Sequence, residues 1–110
     1  MLISTTPSIE GKRIVEYFGL VSGVAISQND FRRWHPDYGD RGPHGRGNDD
    51  YWEGLRRARD TAIEEMVEQA KALGANAVVG VDLDYETITI GQGGNMLMVS
   101  ASGTAVACEE

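Results

Sequence analysis

Residues Arg13 to Ser27, RIVEYFGLVSGVAIS, are apolar at odd and even positions alike and rich in β-branched and aromatic types. Such a segment reads as a long strand that must be covered on both faces. Gly19 and Gly23 stand four apart and so share one face, where missing side chains permit a bend or the close approach of another backbone. The rest of the chain has to supply two covers, and its patterning offers one helix.

That helix is read from Tyr51 to Leu73. Trp52, Leu55, Ala58, Ala62, Ile63, Met66, Ala70 and Leu73 recur at helical spacing, while Arg56, Arg57, Asp60, Glu64, Glu68 and Lys71 fall largely elsewhere. Asp50 with Glu53 three residues later has the form of a capping box, and Gly74 suits the left-handed residue that ends a helix. From Ala77 to Ile90 the period changes to two, with Val79, Val81, Leu83, Tyr85 and Thr87 expected on one face and Asp82, Asp84 and Glu86 on the other. GQGGN, residues 91–95, then connects as a hairpin to Met96–Cys108. No following helix with a phosphate-binding Lys or Ser/Thr accompanies these glycines, so they do not read as a phosphate loop. In the last strand Leu97, Val99, Ala101, Ala105 and Ala107 share one face and Met98, Ser100, Ser102, Thr104 and Cys108 the other.

The fold class expected is therefore α+β. Its order is strand, helix, strand, strand, with a small antiparallel-rich sheet and one long helix packed on one face, as a single domain over 1–110 with a long Gly/Pro-rich loop at 28–50. A chain of 110 residues has material for one core. The helix covers one sheet face, and the other would expose a contiguous Val, Ile and Tyr patch unless a second subunit buried it. A homo-oligomer follows as the expectation.

Composition narrows the partners. A formal charge of -7 repels phosphate backbones and anionic lipid, which argues against nucleic acid and membrane surfaces. No apolar stretch approaches the roughly 18 to 20 residues of a membrane span, and the N-terminus lacks the form of a secretion signal. Cys108 is the single cysteine, so an intrachain disulfide and a CxxC site are both impossible. These features fit a reducing, cytoplasmic setting.

The blocks STTPSIEGKRIVEYFGLVSGVAI, RRARDTAIEEMVEQAKALGANAVVGVDLDYETI and MLMVSASGTAV resemble the YbjQ-like family, which carries a heavy-metal-binding label. The resemblance spans nearly the whole chain except the middle loop. It implies an α+β subunit in a ring-like homo-oligomer, typically a pentamer, and implies no catalytic mechanism. Some members carry a cysteine where this chain has Phe18, so thiolate capture of a soft metal or selenium species is not available there. The loop Gln28 to Asp50 departs too, since Pro36, Pro43 and four glycines interrupt any helix beyond a short turn at Asp30 to Trp34.

Loops of this length are usually functional or disordered. This one holds His35 and His44 with Asp37 and Asp40, ligand types suited to a divalent metal ion when drawn within about 2.0 to 2.2 Å of it, but at a spacing that matches no established zinc motif. The plainer alternative is a solvated loop whose Arg32, Arg33, Arg41 and Arg46 pair with nearby aspartates. Phe31, Trp34 and Tyr38 point instead to docking on the domain or a neighbour. Asp82, Asp84 and Glu86 project from one strand face about 6.6 to 7 Å apart, too far for one strand to chelate an ion unaided. In a ring, symmetry copies could converge to bind a cation or raise one another's pKa; the alternative is a water-facing strand. Met96, Met98 and Cys108 share a face and have the softness Cu(I) prefers, although core filling explains methionines at strand spacing equally well.

Three functional readings result. The leading one is a non-catalytic ring that binds a metal ion or other small ligand at Asp82, Asp84 and Glu86, with His35 and His44 second. Another is a scaffold or protein-interaction module that displays the aromatic loop 31–38. The last is a hydrolase-like enzyme with intersubunit carboxylates, for which Ser100, Ser102 and Thr104 have no histidine nearby in sequence.

Overall fold

The computed structural model describes residues 1–27, 45–89 and 95–109. Its elements are β1 (Leu2–Ile3), β2 (Ile14–Ser27), α1 (Gly45–Ala72), β3 (Ala77–Thr89) and β4 (Asn95–Cys108). They form one four-stranded sheet in the order β1-β3-β4-β2, antiparallel except for the short β1–β3 pair. Thr89 lies opposite Asn95, so β3 and β4 are joined as a hairpin. β2, β3 and β4 each extend about 45 Å at the usual rise per strand residue.

The helix packs on one sheet face through a row of small residues. Ala58, Ala62, Met66 and Ala70 recur every four residues and are buried against Val21, Val78, Val81, Val99, Ala101 and Ala105. Alanines at this spacing bring the helix axis close to the strands. Gly23 completes the approach, because a Cβ there would stand 2.0 Å from the Ala62 carbonyl oxygen. Helix side chains then seal the outer edge of β2, the Ser22 amide donating to Gln69 Oε1 at 3.0 Å and the Val24 amide to Glu65 Oε1 at 2.7 Å.

α1 ends as expected. Gly74 has φ +91°, the Ala75 amide donates to the Ala70 carbonyl and the Gly74 amide to the Lys71 carbonyl, which together make a Schellman cap. Its start differs from the expectation: the helix begins at Gly45, so Asp50 and Glu53 lie within it and do not cap it. Part of the stretch assigned to a loop at 28–50 is therefore helical. Once nucleated, a helix gains one hydrogen bond per added residue, and here this outweighs the roughly 1 kcal/mol that each helical glycine costs.

A second correction concerns β3. Val79 lies opposite Thr104 and Asp82 opposite Ser102, so Gly80 and Val81 together face the single residue Gly103. Strict alternation is broken by this bulge, with Gly80 at φ +63°. Val81 and Leu83 pack under the helix, whereas Val79 joins Ala77, Val106 and Cys108 on the opposite face, with Ile9 and Ile14 packed against them. The bulge thus turns the acidic residues that follow onto the face away from α1. A Cβ at Gly80 would meet nothing within 4 Å, so the cost of replacing it is purely conformational. Gly80→Ala is expected to lower stability by about 1 to 2 kcal/mol, and Gly80→Asn by less, because asparagine tolerates the left-handed region. Denaturant midpoints of the three proteins check that order.

β2 carries bulges of its own, at Ile14/Glu16 and Tyr17/Gly19, the latter with Gly19 at φ +116°. Beyond them β2 shows two very different faces. Val21 and Gly23 are buried beneath the helix, while Tyr17, Leu20, Val24 and Ile26, on the other side, are 68%, 79%, 48% and 48% exposed. The expectation that β2 is apolar on both faces is met, and in the single chain only one of them is covered.

Candidate functional site

The uncovered sheet face is graded across its strands. Antiparallel register sets Asp82 beside Ser102, Asp84 beside Ser100 and Glu86 beside Met98, and on the far side of β4 sets Ser22, Val24 and Ile26 beside Ser102, Ser100 and Met98. An exposed carboxylate row on β3 is therefore followed by half-buried hydroxyls on β4 and an apolar row on β2. The three rows share one face because residues paired across neighbouring strands point to the same side, and on β3 the bulge sets the parity of the acidic residues that follow it.

The carboxylates are closer than their Cα spacing suggests. Asp84 has its pKa raised above 3.8, chiefly by a side-chain hydrogen bond with Asp82, then by the charge of Asp82, slight burial and the charge of Glu86. The two carboxyls stand at i and i+2 on one strand face, where the hydrogen bond with Asp82 and its charge disfavour ionisation of Asp84. Chemically such a pair accepts a cation or a proton, and neither Asp82, Asp84 nor Glu86 is engaged with a basic side chain in the ion pairs found among the described residues.

Among the described residues no three His, Cys, Asp or Glu side chains of one protomer converge where an ion could sit. His35 and His44, with Asp37, Asp40 and the aromatics Phe31, Trp34 and Tyr38, lie outside the described residues. The soft-donor set comes apart: Cys108 is buried under Ile9 and Ile14, ten residues along β4 from Met98, or about 33 Å at strand rise. Phe18 packs partly buried against the helix-side core.

One feature escaped the reading of the sequence. Ser8, Ile9, Gly11, Lys12, Arg13, Ile14, Tyr17 and Glu109 line an open groove of about 550 Å³ at the far end of β2 from Ser27. It forms because residues 4–6 run along the β3 edge, with Val81 donating to Ser4 and Gly80 to Thr6, after which the chain folds back through an Ile9–Lys12 bridge. Long-range placement of this sort has no local signature. The groove is remote from the acidic row, and its Arg13–Glu109 pair at 2.9 Å is well exposed, so it contributes little.

The architecture defines a small α+β subunit with one helix on a four-stranded mixed sheet. Residues 1–109 match the family described as "Putative heavy-metal-binding", the YbjQ-like family, and the chain belongs to it. A crystal structure of a protein with unknown function of the DUF74 family from Pediococcus pentosaceus is similar at a TM-score of 0.66 and 16% identity, over 99% of this chain and 98% of that one. At that identity the likeness speaks for the fold. No helix among the described residues is long and apolar enough to cross a membrane.

Proposed function

We propose that the protein is a non-catalytic, cation-binding homo-oligomer, a ring that the family resemblance makes a pentamer. The observation that carries this reading is the graded face, in which a carboxylate row and an apolar row lie side by side on the sheet surface that α1 leaves open. Burying the apolar row against another copy stabilises the assembly, and bringing copies together supplies the additional oxygens that Asp82, Asp84 and Glu86 lack in one protomer. Hard or borderline divalent ions suit such an oxygen-rich set.

Native mass spectrometry of the untagged protein with added Zn2+ tests the reading. Wild type should retain a fixed number of ions per assembly, and Asp84→Asn should lose them; equal uptake by the variant would remove the acidic row from the function. Uptake should also fall on acidification, because protons compete with the ion for Asp84, whose pKa is raised by the hydrogen bond with Asp82 and by its charge. The linked stability has the opposite sense. A carboxyl with a raised folded-state pKa favours the folded state below its unfolded value, and that contribution is lost as pH rises through the folded value. In the metal-free protein Asp84→Asn should therefore flatten the stability profile from pH 3.8 upward.

A further inference from the structure

We infer that the groove at the N-terminal end of β2 binds a small organic carboxylate, held between Lys12 and Arg13 with its apolar body against Ile9, Ile14 and Tyr17. All of these residues come from one chain, so the site stands whether or not copies assemble. Charge singles the groove out. Outside α1 and residues 28–44, Lys12 and Arg13 are the only lysine or arginine residues of a chain whose net charge is -7, and both line it. The four strands themselves carry no basic residue. Backbone geometry presets the pair. The Lys12 amide donates to the Ile9 carbonyl at 3.0 Å, and Gly11, third in that turn, takes φ +85°, the left-handed value a type II turn requires there. One residue on, the Arg13 carbonyl accepts the Glu109 amide at 2.9 Å, which fixes the start of β2 to the end of β4. The two cations thus border, from a closed turn and a paired strand end, an open space of about 550 Å³, within the size range of small-molecule sites.

The chemistry of the pair selects a carboxylate. A terminal nitrogen of Arg13 already donates to Glu109 Oε2 at 2.9 Å, so a carboxylate fits the guanidinium in this setting. With the two side chains 74% and 53% exposed that pair is weak, and the other N–H groups of the guanidinium have no acceptor among the described residues. The Lys12 ammonium takes part in none of the ion pairs found among the described residues. A ligand carboxylate satisfies both cations, while half-buried Ile9 and Ile14 and the exposed Tyr17 ring offer apolar contact. Glu109 is then a rival for Arg13, and its removal favours the ligand.

Isothermal titration calorimetry of the wild-type protein with sodium benzoate, at an ionic strength held constant with chloride, tests the site. One benzoate per chain is expected at a Kd of about 0.1 to 1 mM, the range open to a few exposed charge-assisted hydrogen bonds. Lys12→Gln should weaken binding at least about tenfold. Glu109→Gln should tighten it about two- to fivefold, a gain that loss of a merely structural ion pair would not produce; weaker binding in that variant would overturn the assignment of Arg13. Arg59→Gln, an exposed cation on α1 paired with Asp60, should leave binding unchanged. A loss equal to that of Lys12→Gln would reduce the site to diffuse charge. Inorganic phosphate, which has the charge without the apolar body, should bind at least about threefold more weakly than benzoate. Equal or tighter phosphate binding would overturn the part given to Ile9, Ile14 and Tyr17. No saturation by about 10 mM benzoate would defeat the site outright and leave the cation-binding assembly untouched.

Discussion

Leu20→Asp is expected to convert the assembly into folded protomers of 12.0 kDa. Leu20 is 79% exposed and lies on the sheet face that α1 does not cover, so the substitution removes nothing from the protomer's core. In the proposed contact the same side chain would give up on the order of 120 Å² to a neighbour, a stabilisation of about 3 kcal/mol per interface. An aspartate there would add the cost of burying an unpaired carboxylate. Together these weaken each contact at least about 100-fold. Sedimentation velocity should show the loss of mass while far-ultraviolet circular dichroism keeps its wild-type form. An unchanged mass would place the interface elsewhere.

Gly23→Ala should act on the protomer itself. Its Cβ would stand 2.0 Å from the Ala62 carbonyl oxygen and 2.9 Å from both the Glu65 Cβ and the Met66 nitrogen, and two of those three atoms are backbone. Helix and strand would have to separate by about 1 Å or more to restore ordinary contact. That movement loosens Ala62 and Met66, both fully buried, and stretches the Ser22–Gln69 and Val24–Glu65 hydrogen bonds. Overpacking of this kind costs about 3 kcal/mol, equivalent to roughly 15 °C in melting temperature for a domain of this size. Ser22→Ala, one residue away and exposed, should change stability by no more than about 0.5 kcal/mol. Calorimetry on the two variants separates a packing effect from a general sensitivity of β2; similar losses in both would contradict the assigned role of Gly23.

The sequence was most informative where local chemistry decides structure. The alanine-rich stripe of α1, the Gly74 terminus and the two-faced apolar character of β2 each follow from spacing, and each is found in the structure. The helix start was less legible, because Asp50 and Glu53 have the form of a cap but lie inside a longer helix. The Gly80 bulge was hidden for a related reason. Val79, Val81 and Leu83 alternate perfectly in sequence, and only pairing with β4 shows that two residues face Gly103 and that Val79 turns to the other side. Val79's misplacement did not carry into Asp82, Asp84 and Glu86, which lie beyond the bulge and share a face as the alternation implies.

For the candidate site, the type and common face of the acidic residues were legible, but their mutual distance was not. Strand rise sets Cα positions, whereas the Asp82–Asp84 hydrogen bond depends on side-chain rotamers. Neighbours from other strands were equally out of reach: Ser100 and Ser102 come to lie beside Asp84 and Asp82 through a register that the hairpin and the bulge fix jointly. His35 and His44 lie outside the described residues, and their role as ligands stays a proposal tied to the same metal titration.

The central claim is that the sheet face left open by α1 is buried between copies of the chain. Native mass spectrometry of the untagged wild-type protein, at micromolar concentration and without added metal, addresses it most directly. The account predicts a single assembly at an integer multiple of 12.0 kDa, five-fold for the ring the family resemblance implies. A lone 12.0 kDa species at that concentration would mean that Tyr17, Leu20, Val24 and Ile26 remain in water, and would contradict the account.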